Sequence, residues 1–167
     1  MTPFRRRRDG RVTASFAPEE AQLLRSLTEE AVELARAAAH PENQLADPAL
    51  GRLLPDAYPD DPEASAEFRR FTAAGLADRK ERNAEVVRES LSQPADGTVK
   101  VILDDAQASA WLRTITDLRL VLAARLGIRE DGDEGDIHDD ESAMQRAVYD
   151  WLAGVQELLV MALQRRR

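Results

Sequence analysis

The run His138-Asp139-Asp140-Glu141 brings an imidazole and three carboxylates together and raises a transition-metal site as a first question. A stable site needs three or four ligands in fixed geometry, and the other histidine of the chain, His40, lies far away at the end of a helical pattern. The same segment, tested as a calcium loop opening at Glu130, puts Gly135, Ile137 and Glu141 at the sixth, eighth and twelfth places. Glu130, Gly132 and Glu134 then occupy the places where short oxygen donors, mostly Asp or Asn, belong, so the donor set is incomplete. No metal and no cofactor is expected. There is no glycine-rich phosphate loop, no nucleophile elbow, and no histidine close in sequence to an acid and a nucleophilic serine. With 31 acidic residues, neighbouring carboxylates arise by composition and say nothing about acid and base roles. The absence of cysteine excludes disulfides, zinc thiolates, thiol nucleophiles and thiol redox switches. The expectation is therefore a non-enzyme.

Charge supplies the other candidate chemistry. Arg5, Arg6, Arg7, Arg8 and Arg11 stand at one end and Arg165 to Arg167 at the other, while the net charge is -8. Without these ends the body carries fifteen basic against thirty acidic side chains, which would repel a phosphate backbone. Arg5 to Arg8 are thus candidate partner-binding residues, set against a simpler role as the charged, aggregation-resistant edge of a sheet. Nucleic acid is not the expected partner.

The elements that must position these groups are mostly helical. A chain of 167 residues with 43% hydrophobic and only 5% aromatic residues suits one domain whose core is built from Leu, Ala and Val. Asp9-Gly10 between two short runs signals a hairpin over 3–16, with Val12, Ala14 and Phe16 on one face. Pro18-Glu19-Glu20 opens a helix running to about Ala39, stopped by His40-Pro41. Asp47 caps a short helix to Leu54, and a proline-punctuated loop leads to a long helix over about 62–91, anchored by Ala64, Phe68 and Phe71 at its start and by Val86, Val87 and Leu91 at its end. Its middle, Ala77 to Glu85, is polar nearly all round, which predicts a solvent-bridging stretch or a bend near Gly75, with charge pairs such as Asp78 with Arg82.

Gln93 to Gly97 reads as a loop and Val99, Val101, Leu103 as a half-buried strand near 98–103. Asp104 caps a helix over 105–126 whose stripe runs through Ala108, Trp111, Leu112, Ile115, Leu118, Leu122 and Leu126, ending at Gly127 in a left-handed cap. A flexible acidic loop over 129–141 precedes a last helix, 142–164, whose wide apolar face suits a central position and leaves a homodimer as an option. Strand-then-helix recurs: Val12 to Phe16 leads to Leu23-Leu24-Arg25-Ser26-Leu27, and Val99 to Leu103 leads to Trp111-Leu112-Arg113-Thr114-Ile115. The fold class is mainly α within α+β: four or five helices in a bundle with a small antiparallel sheet made of the hairpin and one strand. No apolar stretch reaches membrane-spanning length and no signal peptide follows the arginines, so a cytoplasmic location is expected.

The run Val99-Lys100-Val101-Ile102-Leu103-Asp104-Asp105, then Trp111-Leu112, Ile115-Thr116-Asp117-Leu118-Arg119-Leu120-Val121-Leu122 and Arg125-Leu126-Gly127-Ile128, resembles the actinobacterial AosR family of oxidative-stress transcriptional regulators, once labelled a domain of unknown function. Tyr149-Asp150-Trp151-Leu152 with Gln156-Glu157, and the segment from Arg11 to Leu24, resemble it too. The resemblance implies a non-enzymatic cytoplasmic regulator that docks on transcription machinery such as a sigma factor. It does not bring cysteine sensing with it, because this chain has no thiol. Within the resembling run, Asp117 and Arg119 are further candidate partner-binding residues, although orienting neighbouring helices is the favoured role. Two apart on a helix they cannot face each other, and Arg113 is the expected partner of Asp117. The rival readings are a DNA-binding regulator using the arginine-rich ends, and a small metal-binding protein or hydrolase using the acidic loop.

Overall fold

A computed structural model describes residues 1–92, 97–130 and 132–164. The order is β1 (Thr2–Arg6), β2 (Val12–Phe16), α1 (Pro18–Ala38), α2 (Pro41–Ala46), α3 (Pro48–Leu53), α4 (Pro62–Ser90), β3 (Val99–Leu103), α5 (Asp105–Arg125) and α6 (Asp140–Gln164). The predicted loop over Gln93 to Asp96 and the basic end Arg165 to Arg167 lie outside the described residues.

Aspartate caps decide where most helices begin, each carboxylate accepting an N–H that the first turn leaves unpaired. Asp47 takes Ala49 N at 2.9 Å, Asp61 takes Ala64 N at 3.0 Å, and Asp104 takes Gln107 N at 2.8 Å while Gln107 accepts Asp104 N in return. Asp139 takes Ser142 N at 2.7 Å, so α6 starts at Asp140, two residues before the expected start. Among the described residues there are six helices, where four or five were expected. His40-Pro41 ends α1 as expected, but Pro41 also occupies the first turn of the six-residue α2, where a missing N–H is harmless.

The three strands form an antiparallel sheet in the order β1-β2-β3. Gly10 supplies the positive φ of 86° that the hairpin turn requires. β2 and β3 pair as Val12 with Leu103, Ala14 with Val101 and Phe16 with Val99, so the two similar strand-helix units meet about the Ala14–Val101 pair. Every one of these six side chains is buried. Phe4, Phe16 and Trp111 close on one another with centroids 5.6–6.0 Å apart, and the Trp111 indole N–H donates to Ser90 Oγ at 3.0 Å. The principal core gathers these rings with Leu24, Leu27, Val87, Leu91, Ile115, Leu118, Leu152, Val155 and Leu159. A second cluster, Ala38, Ala49, Leu50, Leu53, Leu54, Ala73 and Val121, seats α3 against α1, α4 and α5.

Two expectations for α4 change. Its polar middle is no solvent bridge: Ala77 and Ala84 are buried, because small side chains let this helix lie close to α1 and α5 without a stripe of large residues. Phe68 and Phe71, expected as anchors, are 42% and 77% exposed. The buried face runs through Ser65, Ala73, Ala77, Ala84 and Val87, and the two phenylalanines stand off it. Among the described residues no helix is long and apolar enough to cross a membrane.

Candidate functional site

The arginine arm lies along β1 and its turn, already answered by acids of the same chain. Arg6 Nη2 stands 3.5 Å from Asp105 Oδ1, and Arg6 Nη1 donates to the Leu163 carbonyl at 3.4 Å. Arg7 and Arg11 share the Asp9 carboxylate at 3.4 and 3.2 Å. The Arg11 backbone N–H, aided by both guanidinium charges, holds the Asp9 carboxyl below the ordinary aspartate range. Arg5 and Arg8 are exposed on the same edge.

Asp117 and Arg119 leave opposite sides of α5. Asp117 turns toward α4, where Lys80 Nζ donates to Oδ1 at 2.6 Å; the pair is largely enclosed, with side chains 13% and 23% exposed. Lys80, not Arg113, is therefore its partner, since Arg113 projects from α5 into solvent. Burial pushes the Asp117 carboxyl up, more than the nearby ammonium pulls it down. A cavity of about 10 Å³, with room for about one water, adjoins this pair and is lined also by Ala31, Leu34, Thr114 and Val121. Among the described residues no protein atom hydrogen-bonds Thr114 Oγ1, which is buried there.

Arg119 turns toward α6. Nη1 donates to Gln156 Oε1 at 2.6 Å and Nη2 to Tyr149 Oη at 3.3 Å, and its guanidinium lies 4.8 Å from the Tyr149 ring centroid. Gln156 Nε2 returns to Thr116 Oγ1 at 2.8 Å, while Arg119 Nε is buried unpartnered. The two candidates thus clamp α5 to α4 on one side and to α6 on the other.

The acidic segment before α6 is fastened by its backbone. Asp136 N donates to the Leu126 carbonyl at 2.7 Å, Arg129 N and Gly135 N donate to the Asp133 carboxylate, and Arg146 Nη1 reaches the carbonyls of Asp133 and Glu134. Those backbone donors lower the Asp133 carboxyl, and the Ser142 hydroxyl and N–H lower that of Asp139. Among the described residues no three His, Asp or Glu side chains converge as a metal site would require.

A different surface was missed by sequence reasoning. Phe68 packs edge-on against Tyr58 with centroids 6.0 Å apart, and Phe71, one turn further along α4, is exposed. Ser65 Oγ fixes the loop beneath, accepting Tyr58 N at 3.0 Å and donating to the Tyr58 carbonyl at 2.8 Å, and Arg69 pairs with Asp56. Asp60, Glu63 and Glu67 are exposed in the same stretch of the chain, and the Arg70 guanidinium lies 5.8 Å from the Phe71 ring centroid. Treating the alanines of α4 as its inner face would have placed Phe71 outside. Arrangements of this kind, exposed apolar rings in a charged stretch, serve as anchors for partner proteins rather than as reaction sites.

Comparison with known proteins agrees with the resemblance read from the sequence. The profile of the family described as "Domain of unknown function (DUF2017)" matches residues 1–163. Proteins named oxidative stress regulator AosR from Mycobacterium bovis and from Mycobacterium tuberculosis are 33% identical over 96% of this chain and 86% of their own length. A putative oxidative stress regulator AosR from Mycobacterium leprae is 33% identical over 70% of this chain and 58% of its own. No solved structure matches.

Proposed function

The chain belongs to the family described as "Domain of unknown function (DUF2017)", and from that membership we propose that it is a non-enzymatic regulator of the response to oxidants, working in the cytoplasm by binding a protein of the transcription machinery, of the sigma-factor kind. The observation that carries the binding mode is Phe71, 77% exposed on α4 one helical turn beyond the Phe68 that packs on Tyr58, in a stretch that also exposes Asp60, Glu63 and Glu67. An aromatic anchor in an anionic stretch suits a basic segment that brings an apolar side chain of its own, and the net charge of -8 would speed that encounter. Oxidant sensing by a thiol has no place in the scheme, because the chain has none.

Affinity capture of the whole protein from cells with and without peroxide, read by mass spectrometry beside a Phe71→Glu variant, tests the reading. A sigma factor or another protein bound to RNA polymerase is expected with the wild type and lost with the variant, whose fold should persist because the Phe71 side chain is 77% exposed and lies outside the core. Recovery of a metabolic enzyme complex alone would overturn it. Duplex binding that falls steeply with salt and vanishes on removing residues 1–11 would favour the arginine arm and DNA instead.

A further inference from the structure

Along α6 a second apolar stripe runs beside the one that enters the core. Leu152, Val155, Leu159 and Ala162 face inward and are buried. Met144, Ala147, Trp151, Gly154, Leu158 and Met161 follow at alternating steps of three and four residues, the spacing of a coiled-coil seam. Met144 and Met161 are 66% and 47% exposed, Ala147 is exposed, and Trp151 and Leu158 lay one flank on the core and leave the other to solvent. Nothing lies within 4 Å of the position a Cβ on Gly154 would take, so the helix carries an open notch at the middle of the stripe.

We infer that this stripe is the seat of a second copy of the chain, joined α6 to α6 in antiparallel fashion about a two-fold axis between Leu152 and Ala153. The sizes of the side chains select that arrangement. In antiparallel register Trp151 meets Gly154 of the other copy, Leu158 meets Ala147, and Met144 meets Met161, so the two largest groups each find a small one opposite. A parallel pair would set indole on indole and glycine on glycine, leaving a collision beside a void. The stripe spans about 26 Å of helix and two of its six residues, Trp151 and Leu158, are already partly covered by the core, so the dimer is weak and forms at micromolar concentrations or above. In this register Glu157 faces Asp150 of the other copy across the rim, where Arg146 of the same helix already pairs with Asp150 at 3.0 Å. The inference is independent of the proposed partner on α4.

Sedimentation of the whole chain from about 1 to about 500 µM should show the mass doubling. Gly154→Arg fills a notch that is open in the monomer and should abolish the doubling while the circular dichroism stays unchanged. Register is read with cysteines, of which the chain has none of its own. Under oxidation a mixture of Met144→Cys and Met161→Cys proteins should cross-link to each other, while either alone stays uncross-linked. A monomer at every concentration overturns the inference, as does doubling that Gly154→Arg leaves intact. Cross-linking of Met144→Cys to itself overturns the antiparallel arrangement.

Discussion

Thr114 holds its hydroxyl in the interior beside the Lys80–Asp117 pair, where among the described residues no protein atom pairs with it and a water-sized cavity adjoins. Thr114→Val keeps the shape and removes that atom: with the cavity dry it should raise the unfolding free energy by about 1 kcal/mol, seen as a higher urea midpoint at unchanged slope, whereas a lower midpoint would show that a water in the cavity pairs with the hydroxyl. The neighbouring pair behaves oppositely: Lys80→Met leaves an enclosed carboxylate without its ammonium and should lower stability by about 2 kcal/mol at neutral pH, short of a fully buried pair because both groups keep some solvent. The sign of the pH dependence follows from burial, which raises the Asp117 carboxyl in the folded chain. Its contribution is most favourable at or below the ordinary aspartate range and declines as pH rises through the raised value. The advantage of wild type over Asp117→Asn should therefore shrink as pH rises above the ordinary aspartate range, and denaturant titrations on either side of that range measure it. None of this was legible in the sequence, since Lys80 and Asp117 meet only when α4 lies on α5, and spacing within one helix pointed to Arg113.

At the scale of elements, glycine separates positions that need it from positions that merely contain it. Gly127 ends α5 with φ of 69°, its N–H going to the Ala124 carbonyl and that of Ile128 to Ala123, the paired bonds of a left-handed helix end. Gly135 comes back over this end with φ of 73°, and a Cβ there would lie 2.7 Å from the Leu126 carbonyl oxygen. Gly135→Ala should therefore cost about 1–3 kcal/mol, whereas Gly75→Ala, on an open helical surface of α4, should add about 0.5–1 kcal/mol. Thermal unfolding of the two variants checks the contrast. Gly127, the aspartate caps and the alternating strands could be read from the sequence because each is set by residues within a turn of one another. Phe71 could not, because large apolar residues draw the eye to an inner face, and α4 uses alanine there instead.

For the whole molecule, two strand-helix units sharing a sheet give a core that the apolar pattern already implied, while which surfaces stay uncovered depends on how the helices assemble. That assembly puts every methionine outside: Met1, Met144 and Met161 are 38%, 66% and 47% exposed, and neither methionine nor cysteine enters the core. Peroxide can transfer one oxygen to a thioether, giving the sulfoxide and water, and on this chain that change falls at Met1 and at the two ends of the α6 stripe. In the antiparallel pair Met144 meets Met161, so oxidation introduces polar sulfoxides into both outer layers of the seam and leaves the centre, Trp151 on Gly154, untouched. Peroxide treatment should therefore weaken self-association by about tenfold, one lost apolar contact pair at each end, with no change in the urea midpoint of the monomer. Sedimentation before and after treatment measures it, and restoration by a methionine sulfoxide reductase should return the original concentration dependence. A Met144→Leu, Met161→Leu chain keeps the apolar layers without the thioethers and should associate equally well with and without peroxide. Equal weakening in that chain would assign the effect to some other oxidised group and leave the methionines without a role in it.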